Sequence, residues 1–399
     1  MDDYRSRMIE VIRGEKPGGL LFVPRLDIWY NRNKTRGSLP PGYENLSFPD
    51  IASKLGVGHH SVIPDFIRSA PIEDIYHRAL GFYNNPEFPY TVDFQKVDYE
   101  VHVSENELKV IYHTPKGDIT TRCNYGTSLF DSGSTIPDIT EYAVKSGDDY
   151  YRLADIFSKI KIHPAPEKYR AYYDRIGATG IAVVFMSLAC GPMQHIMRDV
   201  RKYDEFCYDL YDNPSLLEMC AESLSDLYDQ IIDSVLYTNA DVVLFGANYD
   251  ETITYKPFFE QYIIPWLNKA SDKVHSAGKY LLTHTDGENK GLLSSFEGCR
   301  FDIADSICPA PMTKVSFREY REFFDKRVTI WGGIPSVILL KSSCSDREFR
   351  DFVQTVIKGS QPYDHIILSI ADTTPPDADF DRIKYLADEC TRTWTGKKS

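Results

Sequence analysis

The sequence predicts an α/β protein, a (β/α)8 TIM barrel with an inserted antiparallel β subdomain. Three observations lead there. After about Thr140, helical and strand patterns alternate to the end of the chain, which implies a parallel sheet with helical crossovers. Seven strand-like runs can be counted, which favours a closed eight-stranded barrel over an open doubly wound sheet. One stretch, residues 90–125, has a period-two texture with no helical run inside it. The 399 residues could make two or three average domains. The pattern instead makes 1–399 one barrel domain, with about 90–125 as its insertion.

The elements follow in order. Residues up to Gly14 read as a short helix, and LLFVPRLDIWY, from Leu20 to Tyr30, as the first barrel strand. The eighth strand, missing from the count, is placed near Gly56 to Ile63. TVDFQKVDYEVHV, ELKVIYHT and DITTRCNY alternate in period two between SEN and PKG turns, the pattern of an antiparallel meander. GIAVVFMSLACG is a continuous apolar run, as a strand buried on both faces requires. Asn213 and Pro214 open a helix to about Tyr237. ADVVLFGANYDE is the next strand, Tyr255 to Gly278 the next helix, and KYLLTHTD, FDIADSI, RVTIWGG and HIILSIAD are the strands that remain.

Composition excludes several classes of function. Lys and Arg number 45 against 58 Asp and Glu, a formal charge of −13, which argues against a reader of nucleic-acid phosphates. No run reaches the roughly 18–20 apolar residues of a membrane span, and the acidic start lacks a signal-type apolar segment, so a cytoplasmic protein is expected. The eight cysteines are scattered without a CxxC pair and read as reduced, buried thiols. Neither a GxGxxG fingerprint nor a Walker A loop is present, against a dinucleotide or NTP enzyme.

In a parallel barrel the chemistry gathers at the C-terminal strand ends. Those ends carry Arg25, Asp27 and Tyr30 on the first strand, Asn248, Asp250 and Glu251 on the fourth run, His284, Asp286 and Glu288 on the fifth, and Asp372 on the last. His284 and Asp286 are two apart on an extended segment, so both can aim into the mouth. With Asp372 as third group they make a zinc-type site with an open position, and Glu288 or Glu251 could substitute. The bland alternative is that Asp286 and Glu288 cap the following helix, and that Asn248, Asp250 and Glu251 cap the one near Tyr255. Tyr30, Trp29 and Trp331 near strand ends could line a flat apolar pocket, and His195 reads as a helix residue.

The motifs FVPRLDIWY, GANYDETITYKPFFEQYIIPWLNKASDKVHSAGKYLLTHTDGEN, DIADSICPAPM, WGGIPSVIL and IILSIADTTPPDADFDRI, in this order, resemble the uroporphyrinogen decarboxylase superfamily. The resemblance covers most of the chain after about Val200 plus the first strand, and it implies a (β/α)8 barrel. Decarboxylases proper in that superfamily have an N-terminal arginine-rich segment and a histidine in the last strand's loop. Here PRLDIWYNRNK and IADTTPP stand in those places. The sequence is more similar to the cobalamin-dependent methyltransferase branch, whose zinc site has the form His-x-Cys with a later Cys. In that comparison the histidine falls on His284 and the two cysteines on Asp286 and Asp372, so both thiolates are replaced by carboxylates.

The resemblance therefore implies methyl transfer from a small methylated donor to a corrinoid, either free or on a partner protein. The harder His/Asp/Asp set suits a metal that polarises oxygen, which points to an O-methyl (methoxy) donor and O-demethylation. On this reading His284, Asp286 and Asp372 act with or without zinc. Glu288, Asp250 and Glu251 join the catalytic group, while Arg25, Asp27, Tyr30, Asn248 and Trp331 contact the substrate. The corrinoid protein would dock over the mouth, with the insertion as part of its seat, and a homodimer is compatible with the outer helices. A decarboxylase or other lyase acting on a carboxylated substrate is the competing expectation.

Overall fold

The computed structural model describes residues 3–62, 72–125, 137–325 and 327–395. In chain order its strands are β1 (Leu21–Phe22), β2 (Tyr90–Asp93), β3 (Asp98–Val103), β4 (Glu107–His113), β5 (Ile119–Asn124), β6 (Asp138–Glu141), β7 (Lys161–Pro164), β8 (Val184–Ser187), β9 (Val242–Ala247), β10 (Tyr280–His284), β11 (Ile303–Ile307), β12 (Thr329–Ile334) and β13 (Ile366–Ile370). Seven of these form one sheet in the order β1-β13-β12-β11-β10-β9-β8, with every pairing parallel. Every residue of β9, β11, β12 and β13 is buried, as in a sheet covered on both faces, and this is why those runs are apolar without alternation.

The crossovers are amphipathic helices. Asp346–Gly359 shows why one forms: Ser345 and Glu348 make a reciprocal capping box, and Phe349, Val353, Val356 and Ile357 turn a single apolar stripe inward. The helix at Pro214–Leu236 starts on its N-terminal proline as expected. The stretch expected as one helix after Tyr255 is interrupted. Lys256–Phe258 and Ile264–Ser276 are α-helical, with a π-turn at Phe259–Ile263 between them. Pro265 has no N–H to continue the ladder, and the wider turn ahead of it absorbs the missing bond.

The N-terminal strand is shorter than its apolar run. β1 stops at Phe22, and a helix spans Asp27–Arg36, so Asp27 and Tyr30 lie on a helix and not on a strand. Pro24 cannot donate to the ladder, and the Asp27 carboxylate accepts the Ile28 N–H at 2.9 Å, drawing the backbone into the first helical turn. Near Gly56 to Ile63 no strand forms over the described residues, which end at Val62. The segment nevertheless joins the two edges of the sheet. Gly58 N–H donates to Phe22 O (3.0 Å), His59 N–H to Thr179 O (2.8 Å), and Ser61 O accepts Val183 N–H (3.2 Å). The Tyr172 hydroxyl also donates to Ser61 O, and Ser61 Oγ to Ile181 O, both at 2.6 Å, so side chains take places that a regular ladder would use.

The expected meander divides. β3, β4, β5 and β6 form an antiparallel sheet in that order, whereas β2 pairs antiparallel with β7. On β4 the residues Leu108, Val110 and Tyr112 are buried in strict alternation, the signature of one covered face. All eight cysteines are free thiols. Among the described residues no helix is long and apolar enough to cross a membrane.

The join between residues 57–61 and the run before β8 gives a direct test. A Cβ on Gly180 would sit 2.1 Å from the backbone oxygen of His59. Gly180→Ala should therefore cost roughly 1–3 kcal/mol of stability, read from urea unfolding, because backbone must move to admit one methyl. An unchanged midpoint would show that the segment is not packed against this edge.

Candidate metal centre

The site is built on three neighbouring strands whose register aligns them. His284 ends β10 opposite Asp305 of β11, and Asp305 stands opposite Trp331 of β12. His284 Nδ1 lies 2.6 Å from Asp305 Oδ2, with both side chains buried. A carboxylate can only accept here, so Nδ1 carries the hydrogen and Nε2 is the free ring nitrogen. Asp305 Oδ1 is 3.8 Å from His60 Nε2, and the His60 ring meets Trp331 edge-on at 5.3 Å. The buried Trp331 Nε1–H has no hydrogen-bond partner among the described residues.

His284 Nε2 looks toward Asp372 Oδ1 at 3.8 Å. One ligand atom each from His284, Asp286 and Asp372 lies within 4.8 Å of the others, the grouping the spacing of the sequence anticipated. Asp372 is held from two directions: Arg25 Nη1 reaches its Oδ1 at 3.3 Å, and its backbone N–H donates to the Ser306 hydroxyl. Arg25 Nε also reaches Asp27 Oδ2 at 3.3 Å. Asn248, Ser306 and Asp372 all have positive φ (60°, 64° and 54°) although none is glycine, so strained backbone collects where the strands hand over to the mouth loops.

Electrostatics follow from this crowding. Asp27, Asp286, Asp305 and Asp372 face Arg25 and His284, with His60 behind Asp305. Burial opposes charge on His284, yet its bond to Asp305 and that carboxylate's charge prevail, and its pKa is raised. Burial would raise Asp305, but His284 and His60 outweigh it and hold the carboxyl well below the usual range. Asp286 is raised by burial and by the like charge of Asp372, against the pull of His284.

The other expected site residues do different work. Asp250 accepts the N–H groups of Thr252 (2.8 Å), Ile253 (3.3 Å) and Glu288 (3.0 Å). Glu288 accepts those of Lys290 (3.0 Å) and Lys314 (2.7 Å). Glu251 takes Gly291 N–H at 2.6 Å and Lys314 Nζ at 2.5 Å. These three acids clasp the loops after β9, β10 and β11 together; the segments starting at Lys256 and Lys290 take no side-chain bond from their N-cap residues, so the expected capping is replaced by bonds between loops. Asn248 is exposed, and its N–H donates to His284 O at 2.9 Å. Tyr30 is buried against Phe48, its hydroxyl between Lys34 Nζ (2.8 Å) and Leu46 O (3.3 Å). His195 lies on the short helix Pro192–His195.

Asp305, Ser306 and His60 were not anticipated. The signal for Asp305 was an acid inside the apolar run FDIADSI, since a charge in a fully buried strand must have a partner. Asp305→Asn keeps the shape but removes the charge that supports His284. The His284 pKa should fall from above to below its ordinary value of about 6.5, followed by NMR titration. Stability should drop by roughly 1–3 kcal/mol near neutrality. In the parent protein, the depressed Asp305 pKa adds stability present above about pH 4 and lost as pH falls through the folded value. The raised His284 pKa adds stability present below about pH 6.5 and lost as pH rises through the folded value. An unshifted His284 titration in the variant would refute the pairing.

Comparison with known proteins places these observations. No curated protein matches the chain significantly. Residues 125–393, more than half of the chain and including His284, Asp286, Asp305 and Asp372, match the family model described as uroporphyrinogen decarboxylase (URO-D). The parallel sheet with its acid and imidazole groups at the strand ends therefore belongs to a member of the uroporphyrinogen decarboxylase family.

Proposed function

We propose that this protein is a methyltransferase that moves a methyl group from a small O-methyl donor, of the methoxy type, to a corrinoid carried by a partner protein. His284, Asp286 and Asp372 would hold a zinc-type divalent ion. The observation that carries the reading is the buried dyad: Asp305 fixes His284 at 2.6 Å through Nδ1 and leaves Nε2 beside two carboxylates. A ligating histidine with its other nitrogen on a carboxylate is the recurrent outer arrangement of metal sites. Nitrogen and oxygen donors suit a borderline ion such as zinc.

The charge balance favours the same reading over a lyase. A carboxylated substrate needs free cations, whereas Arg25 is already engaged by Asp27 and Asp372. The family is compatible with a decarboxylase-like or related enzyme, so decarboxylation is the activity to be measured alongside methyl transfer.

When bound, such an ion supplies Lewis acidity toward an ether oxygen, which counters the poor leaving ability of an alkoxide or phenoxide. The transfer breaks the C–O bond with its electron pair left on oxygen, forms the new methyl bond with the acceptor's electron pair, and leaves the departing oxygen to take a proton from solvent. The residues of this chain orient and neutralise: Asp305 fixes the imidazole plane, Arg25 and Ser306 fix Asp372, and the Asp250, Glu251 and Glu288 clasp sets the loops that surround the substrate.

Two measurements test this. Protein purified without chelator should contain near-stoichiometric zinc that Asp286→Ala and Asp372→Ala both lose. Methoxylated aromatics should convert cob(I)alamin to methylcobalamin, with rates down at least tenfold in those variants. Release of CO2 from a carboxylated substrate without methyl transfer would overturn the proposal in favour of the lyase. Zinc affinity should also weaken as pH falls, because the raised pKa values of Asp286 and His284 make protons stronger competitors for the ligand atoms. A pH-independent affinity would exclude these ligands.

A further inference from the structure

A cavity of about 40 Å³ lies between β2, β8 and the helical turn that ends at Val200, apart from the strand-end cluster. It has room for about one or two water-sized occupants, a liquid water taking about 30 Å³. Two guanidinium groups line it, Arg78 and Arg198, with one carboxylate, Asp199. Arg78 Nη1 pairs with Asp199 Oδ1 at 2.7 Å, their side chains 14% and 13% exposed. The Arg78 Nε–H is buried and has no partner among the described residues. Arg198 makes no ion pair with a described residue; its Nη1 only reaches the carbonyls of Leu188 and Ala247, both at 3.4 Å, the long end of the hydrogen-bond range.

His195, also in the lining, does not restore the balance and adds no charge. Its Nε2 lies 2.7 Å from Leu80 O, which can only accept, so Nε2 carries the hydrogen. Its Nδ1 then accepts the Tyr228 hydroxyl at 3.0 Å, which makes the ring neutral. Ser187 Oγ accepts Ala189 N–H at 3.1 Å, and its O–H faces the Tyr228 hydroxyl oxygen at 3.5 Å. Among the described lining residues the cavity thus holds two positive charges against one negative, with one orphaned N–H. Arg198 is half-buried, and a charge partly withdrawn from water is costly to leave unpaired.

We propose that this cavity binds a small monovalent anion, of the halide or formate class, between Arg78 Nε–H and the Arg198 guanidinium. The anion neutralises the second arginine and satisfies the orphaned donor. It fastens the segment carrying Arg78 to β8 and to the turn that carries Arg198. The site stands on its own residues and does not depend on the methyl-transfer reading.

The test uses the whole protein exchanged into sodium gluconate at constant ionic strength. Bromide and formate are titrated separately while the melting temperature is followed, and bromide-soaked crystals are examined for anomalous scattering. The expected result is a saturable rise in Tm and a bromide peak beside Arg78 and Arg198. In Arg198→Gln the half-saturating concentration should be at least tenfold higher and the peak absent. A larger rise with formate than with bromide assigns the occupant to the carboxylate class within the same site. No saturable response together with no peak in the cavity overturns the proposal, as does a peak that persists unchanged in Arg198→Gln. Should that variant fail to fold, the bromide peak in the parent protein decides alone.

Discussion

The 2.6 Å contact between His284 and Asp305 is the constraint on which the rest of the strand-end cluster depends. Two ionisable groups are buried together, and each is tolerable only because of the other. Parallel register brings them face to face, since adjacent strands present side chains of paired residues on the same side. That contact decides which imidazole nitrogen is free. The free nitrogen in turn gives Asp286 and Asp372 a common focus. His60 and Trp331 extend the same level across β12 and leave little freedom for the Asp305 carboxylate to turn away.

Around this centre acids do two distinct jobs. Asp286 and Asp372 crowd each other and the histidine, with charge in excess of the one arginine at hand. Asp250, Glu251 and Glu288 spend their oxygens on backbone N–H groups and on Lys314, and their role is to hold loop geometry. A carboxylate with several N–H donors is stabilised as an anion and is poorly suited to give or take a proton. Burial lowers the Asp250 carboxylate's solvation, yet the N–H groups of Glu288, Thr252 and Ile253 still pull its pKa below the ordinary value. The division follows from where each side chain meets backbone, and residue type alone does not display it.

Much of the architecture was legible because it rests on local pattern. Continuous apolar runs marked β8 to β13, and alternation marked β3 to β5. The grouping of His284, Asp286 and Asp372 followed from two-residue spacing and from the rule that chemistry sits at strand ends. What stayed hidden depends on partners distant in sequence. Leu20 to Tyr30 is apolar enough for a strand, but Pro24 and the bond from the Ile28 N–H to the Asp27 carboxylate convert most of it to turn and helix. Residues 57–61 lack a regular ladder because Tyr172 and Ser61 side chains occupy its bonds. Asp305 could be suspected as an acid in a buried run, but its pairing with His284 needed the register of β10 and β11. Ser306 carried no signal, since its role comes from a left-handed backbone that brings its hydroxyl to Asp372.

The Arg25 to Asp372 ion pair joins the neighbourhood of the first strand to the end of the last, across the pairing of β1 with β13. During vectorial synthesis, His284 and Asp286 leave the ribosome well before residue 372 of the 399. Until then the nascent chain has His284 and Asp286 without Asp372, and the Arg25 to Asp372 pair cannot form. Completion of the His284, Asp286 and Asp372 group and joining of the N-terminal strand to the C-terminal one are thus a single late event. A partly made chain therefore lacks both the complete strand-end cluster and the contact that ties its first strand to its last.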